Sequence, residues 1–172
     1  PFSPRRANIS PCSSSRETLS FATTPGNVLV IFDIFKKANP FPELIVMEEL
    51  PGTEYSVDTL IDKGRALITI PRRRDVIKLG ISFIGTTIYH QDIIEQTEKI
   101  VSSLILDYNI GLQFKENEEG KPRIIEMNPR VQGSMVLATA SGVNLPYLAI
   151  KLALGEDIPK QHPKWGVKMI RY

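Results

Sequence analysis

The stretch Ile124-Ile125-Glu126-Met127-Asn128-Pro129-Arg130 sets a carboxylate and an amide two residues apart, just before a proline. In a strand, residues two apart share a face, so Glu126 and Asn128 point one way while Ile125 and Met127 are expected to enter the core. One hairpin earlier, in Gly111-Leu112-Gln113-Phe114, the same alternation turns Gln113 away from Leu112 and Phe114. Three oxygen-bearing side chains, Gln113, Glu126 and Asn128, then converge on one surface. Such a set suits Mg²⁺, or Mn²⁺, which takes hard oxygen ligands and borrows the rest of its shell from water and nucleotide phosphates. Arg130, released from the strand by Pro129, adds a planar cationic fork for phosphate or a carboxylate-derived intermediate. From spacing alone, a solvated strand end before a proline turn is an equal alternative.

A second stretch, Leu44-Ile45-Val46-Met47-Glu48-Glu49-Leu50-Pro51-Gly52-Thr53-Glu54, is an apolar run that turns acidic and breaks at Pro51-Gly52. A strand that loses its partner there leaves main-chain groups free to read an adenine edge between apolar walls such as Met47 and Leu50. Glu54, just beyond, suits ribose hydroxyls; an ordinary hairpin turn with acidic residues is the competing reading. Arg72-Arg73-Arg74 with Lys78 is the dense basic cluster, either a polyphosphate clamp or a solvated strand end. His90 and His162 lack metal-ligand spacing, and Cys12 has no identifiable base beside it.

The elements that position these groups follow from pattern. Residues 1–26 hold four prolines among many serines and read as a loop-rich lead-in, with the main domain over 27–172. Apolar positions from Asn27 to Ala38 recur at helical spacing. Leu44–Glu49, Thr53–Asp62 and Arg65–Pro71 read as an antiparallel meander punctuated by Pro51-Gly52 and Asp62-Lys63-Gly64. Asp92 with Glu95 is a capping signal for a helix whose inner stripe is Ile93, Ile94, Thr97, Ile100, Val101, Leu104 and Ile105. Strands at Ile110–Glu116 and Arg123–Asn128 flank a polar Asn117–Lys121 turn, and helices are expected at Ser134–Ala140 and Leu145–Leu154, the latter stopped by Gly155. The fold class is α+β, a mostly antiparallel sheet flanked by helices.

Composition narrows the function. The 172 residues are 42% hydrophobic and 23% charged, enough for a real core. Near-balance of 21 basic and 19 acidic residues, without a basic face interleaved with aromatics, argues against nucleic acid as partner. There is no apolar run long enough to span a membrane. A single cysteine fits a reducing cytoplasm.

Taken together and in order, MEELPGTEYSVD, IPRRRDVIKLGIS, GLQF, RIIEMNPRVQGS and ASGVNLPYLAIKLALGE resemble an ATP-grasp domain of the carbamoyl-phosphate-synthase large-subunit type, over roughly residues 27–158. The resemblance implies the C-terminal lobe of such a domain, with ATP and Mg²⁺ as ligands. It implies backbone contact of Met47, Glu48, Glu49 and Leu50 with adenine, Glu54 on ribose, and Gln113, Glu126 and Asn128 on one or two metal ions. Arg130 would stabilise an acyl phosphate and Arg74 or a neighbour would reach the phosphates. A small carboxylate would be activated and passed to an amine or ammonia. The N-terminal part of the same enzyme would be required, and the piece alone would be inactive. One departure stands out: Ser13-Ser14-Ser15-Arg16 occupies the place of a glycine-rich phosphate loop. It keeps open a noncatalytic nucleotide-binding or assembly module as the alternative.

Overall fold

The computed structural model describes residues 7–11, 36–37 and 44–172. Apart from residues 36–37, which form a turn, the expected helix at 27–38 lies outside them, as do the Ser13–Arg16 stretch and the expected boundary after residue 26. The chain divides between Leu50 and Pro51 into two compact units.

In the N-terminal unit β1 (Ala7–Pro11) pairs antiparallel with β2 (Leu44–Glu48), from Ala7 opposite Glu48 to Pro11 opposite Leu44. This corrects the expected meander. The Leu44 run finds its partner upstream in sequence instead of in the strand that follows it.

The C-terminal unit holds β3 (Glu54–Asp62), β4 (Arg65–Lys78), β5 (Ile81–Thr87), β6 (Tyr108–Glu116), β7 (Pro122–Asn128) and β8 (Lys168–Ile170) in one antiparallel sheet of order β7-β6-β3-β4-β5-β8. Two tight turns set its register. Lys63 and Gly64, with φ of 48° and 78°, join β3 to β4, and Leu79 and Gly80, at 50° and 73°, join β4 to β5. Paired positive φ values are those of the turn whose twist matches a hairpin. The second hairpin, and β5 with it, was not foreseen, because leucine is not a turn residue. Among the described residues, β4 pairs only with β3 from Arg65 to Ile70.

Each face of the sheet has its own core. On one, Tyr55, Val57, Ile61, Ile110, Leu112 and Phe114 meet Ile93 and Val101 of α1 (Gln91–Ser103), whose buried positions recur every four residues. On the other, Leu60 and Ile70 meet Ala138, Val143, Leu145 and Leu148 around α2 (Val136–Ala140) and α3 (Leu145–Ala153). Asn144 caps α3, its side chain accepting the Tyr147 amide at 3.1 Å.

The helix ends correct two expectations. The N-cap of α1 is His90, without a side-chain cap bond, and Asp92 sits inside the first turn. Leu104 and Ile105 are exposed instead of continuing the inner stripe. Ile105 adopts φ 49°, with its amide on the Ser102 carbonyl at 3.4 Å and the Leu106 amide on that of Val101 at 3.2 Å. This is a Schellman stop with isoleucine where glycine is the usual occupant. Gly155 performs the same stop after α3, as expected, the Glu156 amide reaching the Lys151 carbonyl at 3.0 Å.

Candidate functional site

Register explains how the polar residues meet. Glu126 lies opposite Gln113, Gln113 opposite Ser56, and Ser56 opposite Arg72, so these four share a face. Alternation adds Glu54 and Asp58 on β3, Arg74 on β4 and Asn128 on β7. It is the face of Leu60 and Ile70, whose apolar half is covered by α2 and α3.

Across the strands these side chains form an unbroken hydrogen-bonded line. Arg74 donates through Nη1 to Glu54 Oε1 and to Gln113 Oε1 at 3.0 Å, and through Nη2 to the Gly80 carbonyl at 2.5 Å. Gln113 Nε2 then donates to Glu126 Oε2 at 3.1 Å, and Asn128 Nδ2 to Glu126 Oε1 at 2.8 Å. Arg130 closes the line, donating to Asn128 Oδ1 at 3.4 Å and to the Val131 carbonyl at 3.0 Å. All six sequence-predicted residues beyond Pro51 are brought together. Gln113 faces away from the fully buried Leu112 and Phe114, as alternation required.

Two details differ from expectation. Met127 is 42% exposed instead of entering the core, because β7 is the edge strand. The basic run is also split three ways. Arg72 is buried on the site face, Arg74 is pinned between Glu54 and Gln113, and Arg73 points to the opposite face, where its Nε donates to Asp75 at 2.5 Å. Lys78 covers the Phe83 ring at 4.2 Å from its centroid.

Met47 and Glu48 end β2, and Glu49 and Leu50 follow it, in the N-terminal unit. Strand pairing stops at Glu48. The sequence predicts free main-chain groups at the Pro51-Gly52 break, but in the structure two amides there are bound. The Gly52 amide donates to the Glu116 carbonyl at 3.0 Å and the Thr53 amide to Glu116 Oε2 at 3.1 Å. A Cβ on Gly52 would lie 2.5 Å from that of Glu116, so glycine is needed where the turn crosses the end of β6.

Beneath the line lies a second layer that the sequence reading missed. Asp58 and Arg72 form an ion pair, 1% and 2% exposed. Arg72 also donates to Ser134 Oγ at 2.7 Å and to Gln132 Oε1 at 3.0 Å. Asp58 Oδ1 accepts the Gln132 amide at 3.1 Å, and Gln132 Nε2 donates to the Leu112 carbonyl at 3.0 Å. Burial pushes the Asp58 carboxyl up and the Arg72 guanidinium down, and their contact works against both shifts. One signal was available: Asp58 sits mid-strand between the apolar Val57 and Leu60, away from the strand ends where Glu54 and Asp62 lie, and a mid-strand acid needs a buried partner.

The donor set of Gln113, Glu126 and Asn128 is all oxygen, with one carboxylate and two amides. Among the described residues no group of three or more His, Cys, Asp or Glu forms a metal cluster. By donor chemistry such a set suits one hard cation that completes its shell with water and phosphate oxygens, while in the structure both amide oxygens accept from arginines, Gln113 from Arg74 and Asn128 from Arg130.

Comparison with known proteins agrees with this architecture. The family model described as ATP-grasp in the biosynthetic pathway with Ter operon matches residues 40–171. The carbamoyl phosphate synthase large chain of Caldanaerobacter subterraneus subsp. tengcongensis is 36% identical over 142 residues, 76% of this chain and 13% of that protein. The biotin carboxylase domain of 2-oxoglutarate carboxylase from Hydrogenobacter thermophilus, solved with MgADP, ADP and bicarbonate, superposes with TM-score 0.65 at 14% identity, over 91% of this chain and 38% of that one. The L-amino acid ligase of Bacillus licheniformis superposes with TM-score 0.58 at 18% identity, over 87% and 41%. The chain thus spans a small part of the length of its curated relative. Among the described residues no helix is long and apolar enough to cross a membrane.

Proposed function

Since the chain belongs to the ATP-grasp family, we propose that its C-terminal unit is the metal- and phosphate-binding lobe of an ATP-dependent ligase, one that activates a small carboxylate as an acyl phosphate and passes it to an amine or ammonia. The observation that carries this reading is the unbroken line from Glu54 through Arg74, Gln113, Glu126 and Asn128 to Arg130. A solvated strand end would have no reason to order six polar side chains across four strands.

Gln113, Glu126 and Asn128 would hold Mg²⁺, which when bound supplies charge neutralisation of the ATP phosphates. Arg74 fixes the Gln113 amide by donating to its oxygen, which leaves Nε2 directed at Glu126 and orients that carboxylate. Arg130, exposed and steadied by Asn128 and Val131, presents its guanidinium to the charge that develops on a transferring phosphoryl group. Assignment of adenine to the main chain at Met47–Leu50 and of ribose to Glu54 rests on family membership. The solved 2-oxoglutarate carboxylase domain of the same fold, holding MgADP and bicarbonate, is the precedent for the ligand classes.

The test is titration of the full-length protein with ATP and Mg²⁺, comparing wild type with Glu126→Gln and Asn128→Ala. Magnesium-dependent ATP binding that weakens in both variants, with phosphate released on adding a carboxylate pool, supports the ligase. Absence of nucleotide binding at millimolar ATP overturns it. Binding without phosphate release leaves the noncatalytic module.

A further inference from the structure

We propose that Arg72 is a positioning residue, holding the Arg130–Ser134 segment on the sheet so that Arg130 stays aimed at the site; this rests on the functional reading above. Arg72 is too deeply buried to meet a phosphate itself. Its two terminal nitrogens reach three partners from different parts of the chain: Asp58 on β3, Gln132 and Ser134. Its Nε has no partner among the described residues, so the geometry is set at the terminal nitrogens alone.

Gln132 is the joint of the arrangement. Its amide is held by Asp58, its Oε1 by Arg72, and its Nε2 by the main chain of β6. It lies flat on the sheet only because β6 offers Gly111, where a Cβ would stand 2.4 Å from Gln132 Cγ. Two residues before this joint, Arg130 leaves the end of β7 with its own amide on the Asn128 carbonyl at 2.8 Å. Arg130 is therefore anchored on both sides, by the metal-ligand strand before it and by the Arg72 joint after it. An apolar pair of similar volume would serve stability about as well as a buried ion pair. What an apolar pair cannot do is fix the direction of a five-residue segment through three directed hydrogen bonds.

Two variants separate positioning from folding. Arg72→Lys keeps a cation beside Asp58 but loses the fork to Gln132 and Ser134. The Asp58→Asn/Arg72→Met double variant removes both charges without orphaning either. In the full-length protein, each is expected to lower kcat for ATP-dependent phosphate release ten- to a hundredfold while KM for ATP changes less than threefold. Placed on an Arg130→Ala background, each should have almost no further effect, because Arg72 acts through Arg130. Equal losses in the presence and absence of Arg130 overturn the proposal. A second readout does not depend on turnover: hydrogen exchange at the Gln132 amide should accelerate at least tenfold in Arg72→Lys while the Leu112 amide is unchanged. Unchanged protection of Gln132 also overturns it. If wild type releases no phosphate from ATP, the proposed ligase function is what fails, and the exchange measurement alone decides whether Arg72 anchors the segment.

Discussion

The Tyr55 hydroxyl donates to Glu116 Oε1 at 2.6 Å, tying the start of β3 to the end of β6 beside the Gly52 turn. Burial first, and then this bond, pushes the Tyr55 hydroxyl up to about 12. Glu116 is also raised by desolvation, but the Tyr55 and Thr53 bonds outweigh that and leave its carboxyl below the ordinary value.

These shifts have opposite signs in pH. A raised tyrosine stabilises the fold fully below its ordinary value of 10.0 and loses the contribution as pH climbs toward about 12. A depressed carboxyl stabilises above its ordinary 4.5 and loses the contribution as pH falls. Tyr55→Phe is expected to cost about 2 kcal/mol near neutral pH, the usual worth of a hydrogen bond to a charged group. Urea unfolding at several pH values checks it: the gap to wild type should be flat in the middle range and narrow on both the acid and the strongly alkaline sides.

Glu126→Gln, Asn128→Ala and Arg130→Ala should divide by role. On the proposed reading the first two are expected to weaken magnesium-dependent ATP binding about tenfold or more, since Glu126→Gln removes the carboxylate charge and Asn128→Ala removes an amide oxygen from the metal set. Arg130→Ala is expected to leave binding nearly intact and slow phosphate release about 10²-fold, the scale for losing one donor to developing charge. Calorimetric titration and single-turnover phosphate release distinguish the two patterns.

Gly111→Ala should act at a distance from its own strand. The added methyl would meet Gln132 Cγ at 2.4 Å and the Arg130 carbonyl oxygen at 3.1 Å, so the segment above it must lift. Overpacking of this kind costs about 1–3 kcal/mol. Thermal denaturation should show the loss, and phosphate release should fall with it. Unchanged melting would mean that the segment yields without strain.

Ile105→Gly should stabilise. A β-branched residue held at φ 49° pays a steric penalty of about 1–2 kcal/mol that glycine escapes, partly offset by glycine's greater freedom when unfolded. A net gain of about 0.5–1 kcal/mol is expected, because the exposed Ile105 side chain contributes little burial. A rise in melting temperature of a few degrees checks it.

The convergence of Gln113, Glu126 and Asn128 was legible because two-residue periodicity and a short hairpin decide which side chains face together. So were the antiparallel sheet and the stop at Gly155, since both rest on local chemistry. The joint beneath them was not, because Asp58 and Gln132 are 74 residues apart and nothing local marks them as partners. The arginine run misled for the opposite reason. Three adjacent like charges suggest one patch, yet strand alternation sends Arg73 to the face opposite Arg72 and Arg74. The isoleucine in the stop after α1 hid the helix end, as its side chain fits the apolar stripe and only its backbone breaks it.

Enclosing Asp58 and Arg72 has a consequence for ionic strength. Mobile ions screen exposed charges within about 10 Å at 0.1 M salt, but they cannot enter a pair that is 1–2% accessible. If Arg130 meets phosphate as proposed, salt will weaken that pull while leaving untouched the buried framework beneath it. The strength of the attraction would then be set by the medium, and its direction by a pair that the medium cannot reach.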